Sequence, residues 1–268
     1  MSILSRVLVA SAALLAACGA CSRRAEEPPT LTVTVAGGAI SAPDSVRASW
    51  TRLRVEEDGQ GHLVELFRIP GELPDAAVAA LRAAMDTAHA TPRGMVAVGS
   101  PEVGDTGEVV LRLTPGRYLL GCVRRGTDGH RHLAGGEWKT IDVIAGDADA
   151  REPVATQEVG MGDFAFSGPG AWRPGRQMVA VVNRGRQDHQ LRIDRLHPGV
   201  TLQSWLAAAE TASVSTPVAG AARMGPGLTV YLPLTLERGE YVFYCLIPDP
   251  ASGKPHVMLG MVRGLKVE

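Results

Sequence analysis

Cys122 and Cys245 are the residues of this 268-residue chain best placed to do chemistry, because each recurs in one constellation with histidines in the same order and at similar offsets. Gly116-x-Tyr118-x-x-x-Cys122 is repeated as Gly239-x-Tyr241-x-x-x-Cys245. Downstream, Gly129-x-x-His132-x-x-x-Gly136 is repeated as Gly253-x-x-His256-x-x-x-Gly260. Upstream, His62 and His189 precede their cysteines by 60 and 56 residues, and Arg68 with Pro70-Gly71 matches Arg195 with Pro198-Gly199. Matches in the same order across most of each half identify a tandem duplication. A thiol in an oxidising compartment can close a disulfide, and a thiol beside histidines can hold a metal. A Cys122–Cys245 bridge would need Cα atoms within about 7 Å, which equivalent strands of two side-by-side sandwiches rarely offer. Two separate metal ligands are the preferred reading.

The run Gly239-Glu-Tyr241-Val-Phe-Tyr244-Cys245, then Pro248 and His256-x-x-x-Gly260-Met261-x-x-Gly264, resembles the closing strand and ligand loop of the cupredoxins, the family of plastocyanin and azurin. Val181-Val182-Asn183-Arg-Gly185-x-x-x-His189 is similar to the strand and turn that supply that family's first histidine. The resemblance covers most of residues 159–268 and, more faintly, 30–144. It implies one copper ion in the second half, held by His189, Cys245 and His256 with Met261 as a weak axial ligand. Soft thiolate and borderline imidazole suit both copper oxidation states, and a distant thioether keeps reorganisation small. By the same resemblance His189 is the buried imidazole, Cys245 the thiolate that carries electronic coupling, and His256 the solvent-facing exit ligand. Met258 is expected to point away and pack.

Two departures qualify this. Ten residues, Leu246 to Pro255, separate Cys245 from His256, where familiar members have a few. Asp249-Pro250-x-x-Gly253 is expected to form a turn that folds the excess outward. In the first half, His62, Cys122 and His132 hold the equivalent positions, but Glu137 stands where Met261 stands. A hard carboxylate favours Cu(II) or Zn(II) over a blue-copper site and lowers any copper potential. The first half is therefore a candidate second metal site or a relic built of ordinary core and turn residues. His130 adds one further candidate ligand there.

Short apolar runs with close turn signals must position these groups. Leu31, Val33 and Val35 alternate with polar residues, and Leu63, Glu65 and Phe67 are assigned to one face of a strand. Val109–Leu113, Tyr118–Val123, Met178–Val182, Gln190–Leu196, Leu228–Leu236 and Tyr241–Ile247 complete the predicted strands. Asp75 can cap a helix over Ala76–Thr87, and Thr201 one over Leu202–Thr211. The fold class is all-β: two tandem cupredoxin-like Greek-key β-sandwiches, each with an inserted helix. Their boundaries are 30–144 and 158–268, joined by a linker over 145–157.

The N-terminus reads as a lipoprotein signal peptide, 1–17, with Arg6 ahead of the apolar run Val7–Ala17. Leu15-Ala16-Ala17-Cys18 resembles the bacterial lipobox, which implies lipidation of Cys18 and a tether over 18–29. Gly19 after that cysteine favours the outer membrane, with the protein facing the periplasm of the bacterial cell envelope. The formal net charge of −1 and the lack of a basic run give no reason to expect nucleic acid. The partners expected are the membrane, through the lipid, and a redox protein. Seven histidines with one His-x-His are too few for a trinuclear copper oxidase, and Tyr244 stands where a copper nitrite reductase carries a further His beside its Cys. The leading expectation is a lipid-anchored copper protein that transfers single electrons and is not an enzyme. The alternatives are a metal-free binding or structural module, or a copper storage or delivery protein.

Overall fold

The computed structural model describes residues 27–71, 73–87, 90–102, 106–146, 150–208 and 213–268. The signal segment, Cys18, most of the tether, His89 and the middle of the linker lie outside the described residues. The first half contributes β1 (Thr30–Ala36), β2 (Ala39–Ser41), β3 (Ser45–Arg47), β4 (Ser49–Glu57), β5 (Val64–Arg68), α1 (Asp75–Thr87), β6 (Val96–Ala97), β7 (Thr106–Leu113), β8 (Gly116–Cys122), the short α2 (His132–Gly135) and β9 (Trp138–Ile144). The second contributes β10 (Gln157–Gly162), β11 (Ala165–Ser167), β12 (Ala171–Trp172), β13 (Gly175–Asn183), β14 (His189–Leu196), α3 (Leu202–Ala207), β15 (Ser215–Met224), β16 (Thr229–Leu236), β17 (Gly239–Tyr244), a 3₁₀ turn over His256–Leu259, and β18 (Val262–Val267).

Each half has one five-stranded sheet, in the orders β3-β9-β8-β5-β6 and β12-β18-β17-β14-β15. The opposing layers, β2-β1-β4-β7 and β16-β13-β10-β11, are joined by β7 and β16 into one eight-stranded sheet. β1 shows why the layers pack: Leu31, Val33 and Val35 turn inward while the threonines between them face out. Leu53, Leu66, Leu111 and Leu120 join them, and Val179, Val181, Ile193, Val230 and Phe243 continue the same core into the second half. β5 departs from the expected one-sided pattern. Val64 and Leu66 enter this core, whereas Phe67 faces the other way and packs with Val78 and Met85 of α1. The inserted helix covers the outer face at Phe67, so the strand buries apolar residues on both faces.

The repeat extends to hydrogen bonds. The Tyr118 hydroxyl donates to the Thr114 carbonyl at 2.9 Å, and that of Tyr241 to the Glu237 carbonyl at 2.9 Å. Gly116 and Gly239 have φ of 146° and 154°, and a Cβ on either would lie 3.2 Å from Nε of Arg68 or Arg195. The Thr201 hydroxyl caps α3 by accepting from the Ser204 amide. That helix ends at Ala207, and the remainder of the predicted span falls partly outside the described residues.

The halves meet along two seams. Val110 lies opposite Tyr231 and Leu111 opposite Val230 in the joined sheet. Around the other layer, residues 97–102 run antiparallel to 220–225, with Gly99 N–H donating to the Arg223 carbonyl (3.1 Å) and Ala222 N–H to the Ser100 carbonyl (2.7 Å). Buried charges line a cleft of about 190 Å³ here. Arg223 reaches Glu65 at 3.3 Å, and Arg192 reaches Glu102 at 3.5 Å.

Candidate metal centres

In the second half, β14 presents His189 at its first residue, and Cys245 follows the end of β17. The long loop after Cys245 returns His256 to it. Pro248 and Pro255 pair across the loop's neck, and His256 N–H donates to the Ile247 carbonyl at 2.9 Å. The Asp249 carboxylate accepts from the Ser252 amide (2.8 Å) and hydroxyl (2.7 Å), closing the turn, and Gly253 takes a φ of 69°. The excess therefore folds outward from the ligands. His189, Cys245, His256 and Met261 are all fully buried. The solvent-facing role expected for His256 is thus corrected. Phe164 stacks edge-on against its ring, with centroids 5.2 Å apart, and the loop covers the rest. Met258 is 71% exposed, so it points away from the ligands as expected but does not pack, because His256–Leu259 is a 3₁₀ turn that carries its side chain into solvent.

His189 Nδ1 and His256 Nδ1 lie 3.1 Å apart, and Cys245 Sγ is 3.5 Å from His256 Nδ1. The donor atoms of the three residues all lie within 4.8 Å of one another. Their outer nitrogens are fixed by acceptors: Asp163 Oδ1 is 3.2 Å from His189 Nε2, and Gln187 Oε1 is 3.2 Å from His256 Nε2. Gln187 is oriented because its Nε2 donates to Asp249 Oδ1 at 3.1 Å. Burial opposes ionisation of Asp163, but hydrogen bonds from the Arg186 amide, His189, the Arg186 side chain and the Gln187 amide outweigh it and hold its pKa down at about 2. Each imidazole therefore carries its proton on Nε2, and two Nδ1 lone pairs face each other beside a sulfur.

Such an arrangement repels unless a positive charge lies among the donors. A proton is a poor solution, since burial and the neighbouring His189 push His256 down to about 4, and burial also lowers His189. Burial raises the Cys245 thiol to about 11, and a bound cation is what deprotonates such a thiol. Two imidazoles and one thiolate, soft and borderline donors at adjacent-ligand spacing, fit copper. Met261 immediately precedes the return strand β18 and holds its place through its amide, which donates to the His256 carbonyl at 2.9 Å.

The first half carries the same frame. His132 N–H donates to the Arg124 carbonyl (2.9 Å), Glu137 N–H to the His132 carbonyl (3.1 Å), and Cys122 N–H to the Glu137 carbonyl (3.0 Å). The last two match bonds from Met261 to His256 (2.9 Å) and from Cys245 to Met261 (3.3 Å). Gly136 and Gly260, at φ of 127° and 104°, permit both returns. His62, Cys122, His132 and Glu137 converge, with every donor atom within 4.8 Å of the others. Glu137 Oε2 is 2.8 Å from His62 Nδ1 and 3.2 Å from His132 Nδ1, and Cys122 Sγ is 3.7 Å from each ring nitrogen. His62 Nε2 is 3.3 Å from Asp58 Oδ1. His130 does not join, because its side chain is 67% exposed and its Nδ1 is engaged by Asp86 at 2.7 Å. Cys122 and Cys245 are both free thiols.

Three residues outside the motifs complete the second centre. Asp163 and Phe164 form the two-residue turn between β10 and β11, where the first half has Gly37-Gly38. Phe164 adopts a φ of 65°, the left-handed conformation that Gly38 takes at 78°. Gln187 lies in the turn before His189, which buried Asn183 holds by donating to the carbonyls of Gln187 (2.9 Å) and Met224 (2.8 Å). The sequence signal for Phe164 is the loss of glycine at a repeat position that needs positive φ. Asp163 and Gln187 have no comparable signal.

The strand order shared by both halves, with ligands at one end of each, is that of two cupredoxin-like β-sandwiches. No family model matches the sequence, and no curated protein matches it. Among solved structures, the chain is similar to dithionite-reduced auracyanin from Roseiflexus castenholzii, at 21% identity over 41% of this chain and 94% of that one, with a TM-score of 0.30. It is also similar to a multicopper oxidase, at 16% identity over 89% of this chain and 88% of that one (TM-score 0.27). A copper nitrite reductase from Nitrosomonas europaea matches at 13% identity over 90% and 94% (TM-score 0.26). At TM-scores this low the likenesses carry no weight for the chemistry, which rests on the donor atoms above.

Proposed function

We propose that the second half binds one copper ion through His189, Cys245 and His256, with Met261 as the weak axial group, and passes single electrons. The facing Nδ1 lone pairs of two buried imidazoles, 3.1 Å apart beside a thiol, carry this reading. Copper bound there supplies a one-electron cycle between its two common oxidation states. The chain's part is to hold three donors still. Asp163 and Gln187 keep the ring protons outward, Gln190 N–H donates to the Cys245 sulfur at 3.5 Å, and Phe164 excludes water. Donors fixed by strand ends and buried hydrogen bonds need little rearrangement when the charge changes.

The N-terminal segment supports attachment by lipid at Cys18 to the bacterial envelope, facing the periplasm and exchanging electrons with a protein partner. Among the described residues, no helix is long and apolar enough to cross a membrane. Loading with Cu(II) is expected to produce an intense visible thiolate-to-copper band that is weakened or lost in Cys245→Ala. Wild-type and Cys245→Ala proteins that load identically and show the same spectrum would exclude the centre.

A further inference from the structure

We infer that the first half is a second metal centre of different chemistry, in which His62, Cys122, His132 and Glu137 hold a divalent cation of borderline softness, Zn(II) or Cu(II), that does not change oxidation state. The inference goes beyond the copper site of the second half and does not depend on it.

Four donors converge where the repeat already built a ligand frame. Only the last has changed, from the thioether of Met261 to the carboxylate of Glu137. The change is not a decayed position. The Glu137 side chain is only 11% exposed and both its oxygens are engaged, Oε2 at 2.8 Å from His62 and Oε1 at 3.1 Å from His132. A relic would drop a buried carboxylate, because burying a charge costs several kcal/mol unless it is compensated. One thiolate and one carboxylate also neutralise a divalent ion, so the filled centre places no net charge in the sandwich. A hard anionic oxygen stabilises the divalent state and disfavours Cu(I), which prefers sulfur and nitrogen alone. Coordination releases the Cys122 thiol proton to solvent. The ring protons stay on Nε2, where His62 has Asp58 at 3.3 Å.

The two centres also differ in access. His132 keeps a quarter of its side chain exposed, whereas both histidines of the second centre are sealed. A metal can therefore reach the first centre from solution along the edge of His132.

The test counts metal in reduced, metal-stripped protein after incubation with Zn(II), or with Cu(II), and removal of excess, by native mass spectrometry. Cys245→Ala is expected to retain one tightly held ion. Adding Cys122→Ser or Glu137→Gln to that protein should weaken the remaining ion by about tenfold or more. The Cu(II) form of Cys245→Ala should keep its paramagnetic signal under reductant that bleaches the second centre of Cys122→Ser. Should Cys245→Ala fail to fold, Zn(II) protection of Cys122 from alkylation in wild-type protein, lost in Glu137→Gln, reads the same site. A Cys245→Ala protein that holds no stoichiometric ion, or holds one indifferent to Cys122→Ser, overturns the inference; for unfolded Cys245→Ala, absence of Cys122 protection does so.

Discussion

At the scale of single residues, the second centre depends on groups that never touch the metal position. Asp163 fixes the proton of His189, and its own ionisation is secured by the Arg186 and Gln187 amides. Asp163→Asn keeps the volume but presents an amide that can turn its NH₂ toward the ring. Copper affinity of the second centre is expected to fall by about 10- to 100-fold in competition with a chelator, with the fold intact by circular dichroism. Three donors were legible in the sequence, because the duplication prints His189, Cys245 and His256 a second time as His62, Cys122 and His132. Asp163 and Gln187 were not, since one belongs to a hairpin turn that is Gly-Gly in the other half and the other to a turn without a repeated partner. Burial of His256 was equally hidden: it depends on Phe164, which arrives from a hairpin turn far away in the chain.

At the scale of elements, each ligand strand is entered through a tyrosine corner. Tyr118 and Tyr241 are both almost fully buried, and each donates its hydroxyl to a carbonyl four residues upstream. Tyr118→Phe and Tyr241→Phe should each lower stability by about 1 kcal/mol, measured by chemical denaturation, because the hydrogen bond of a buried tyrosine to its turn carbonyl is lost. Neither change should move the spectrum of the copper-loaded protein. Strands with clear alternation, such as β1, were readable from period two alone. β15 was missed: Ser215–Met224 is built of small and polar residues, and its place comes from pairing with β14 on one side and with the neighbouring half on the other. The long loop after Cys245 was readable as a turn, but its use of Asp249 to aim Gln187 at His256 was not.

At the scale of the whole molecule, two seams make the halves one structural unit. Heat should unfold them together, in one calorimetric transition whose van't Hoff and calorimetric enthalpies agree; two separated transitions would contradict the shared sheet and core. The seam also sets a dependence on pH. Burial, partly offset by Arg192, pushes the Glu102 carboxyl up to about 7 from its ordinary 4.5. Between those values the folded protein retains a proton that the unfolded chain has released. This contribution to stability is therefore complete below 4.5 and is lost as pH rises through about 7, a decline on the order of 2–3 kcal/mol. Denaturation midpoints measured across that range should flatten in Glu102→Gln.

The pairing of β7 with β16 has a consequence for symmetry. Gly116 and Gly239 stand 123 positions apart in the repeat, and so do Val109 and Leu232. The register that sets Val110 against Tyr231 and Leu111 against Val230 brings Val109 opposite Leu232, its own counterpart. A strand meeting its own image antiparallel is the signature of an isologous contact about a two-fold axis. The joined sheet thus has the geometry of a two-fold, isologous contact between the two repeats. Within one chain the two repeats need not match residue by residue, and Glu137 stands in one where Met261 stands in the other.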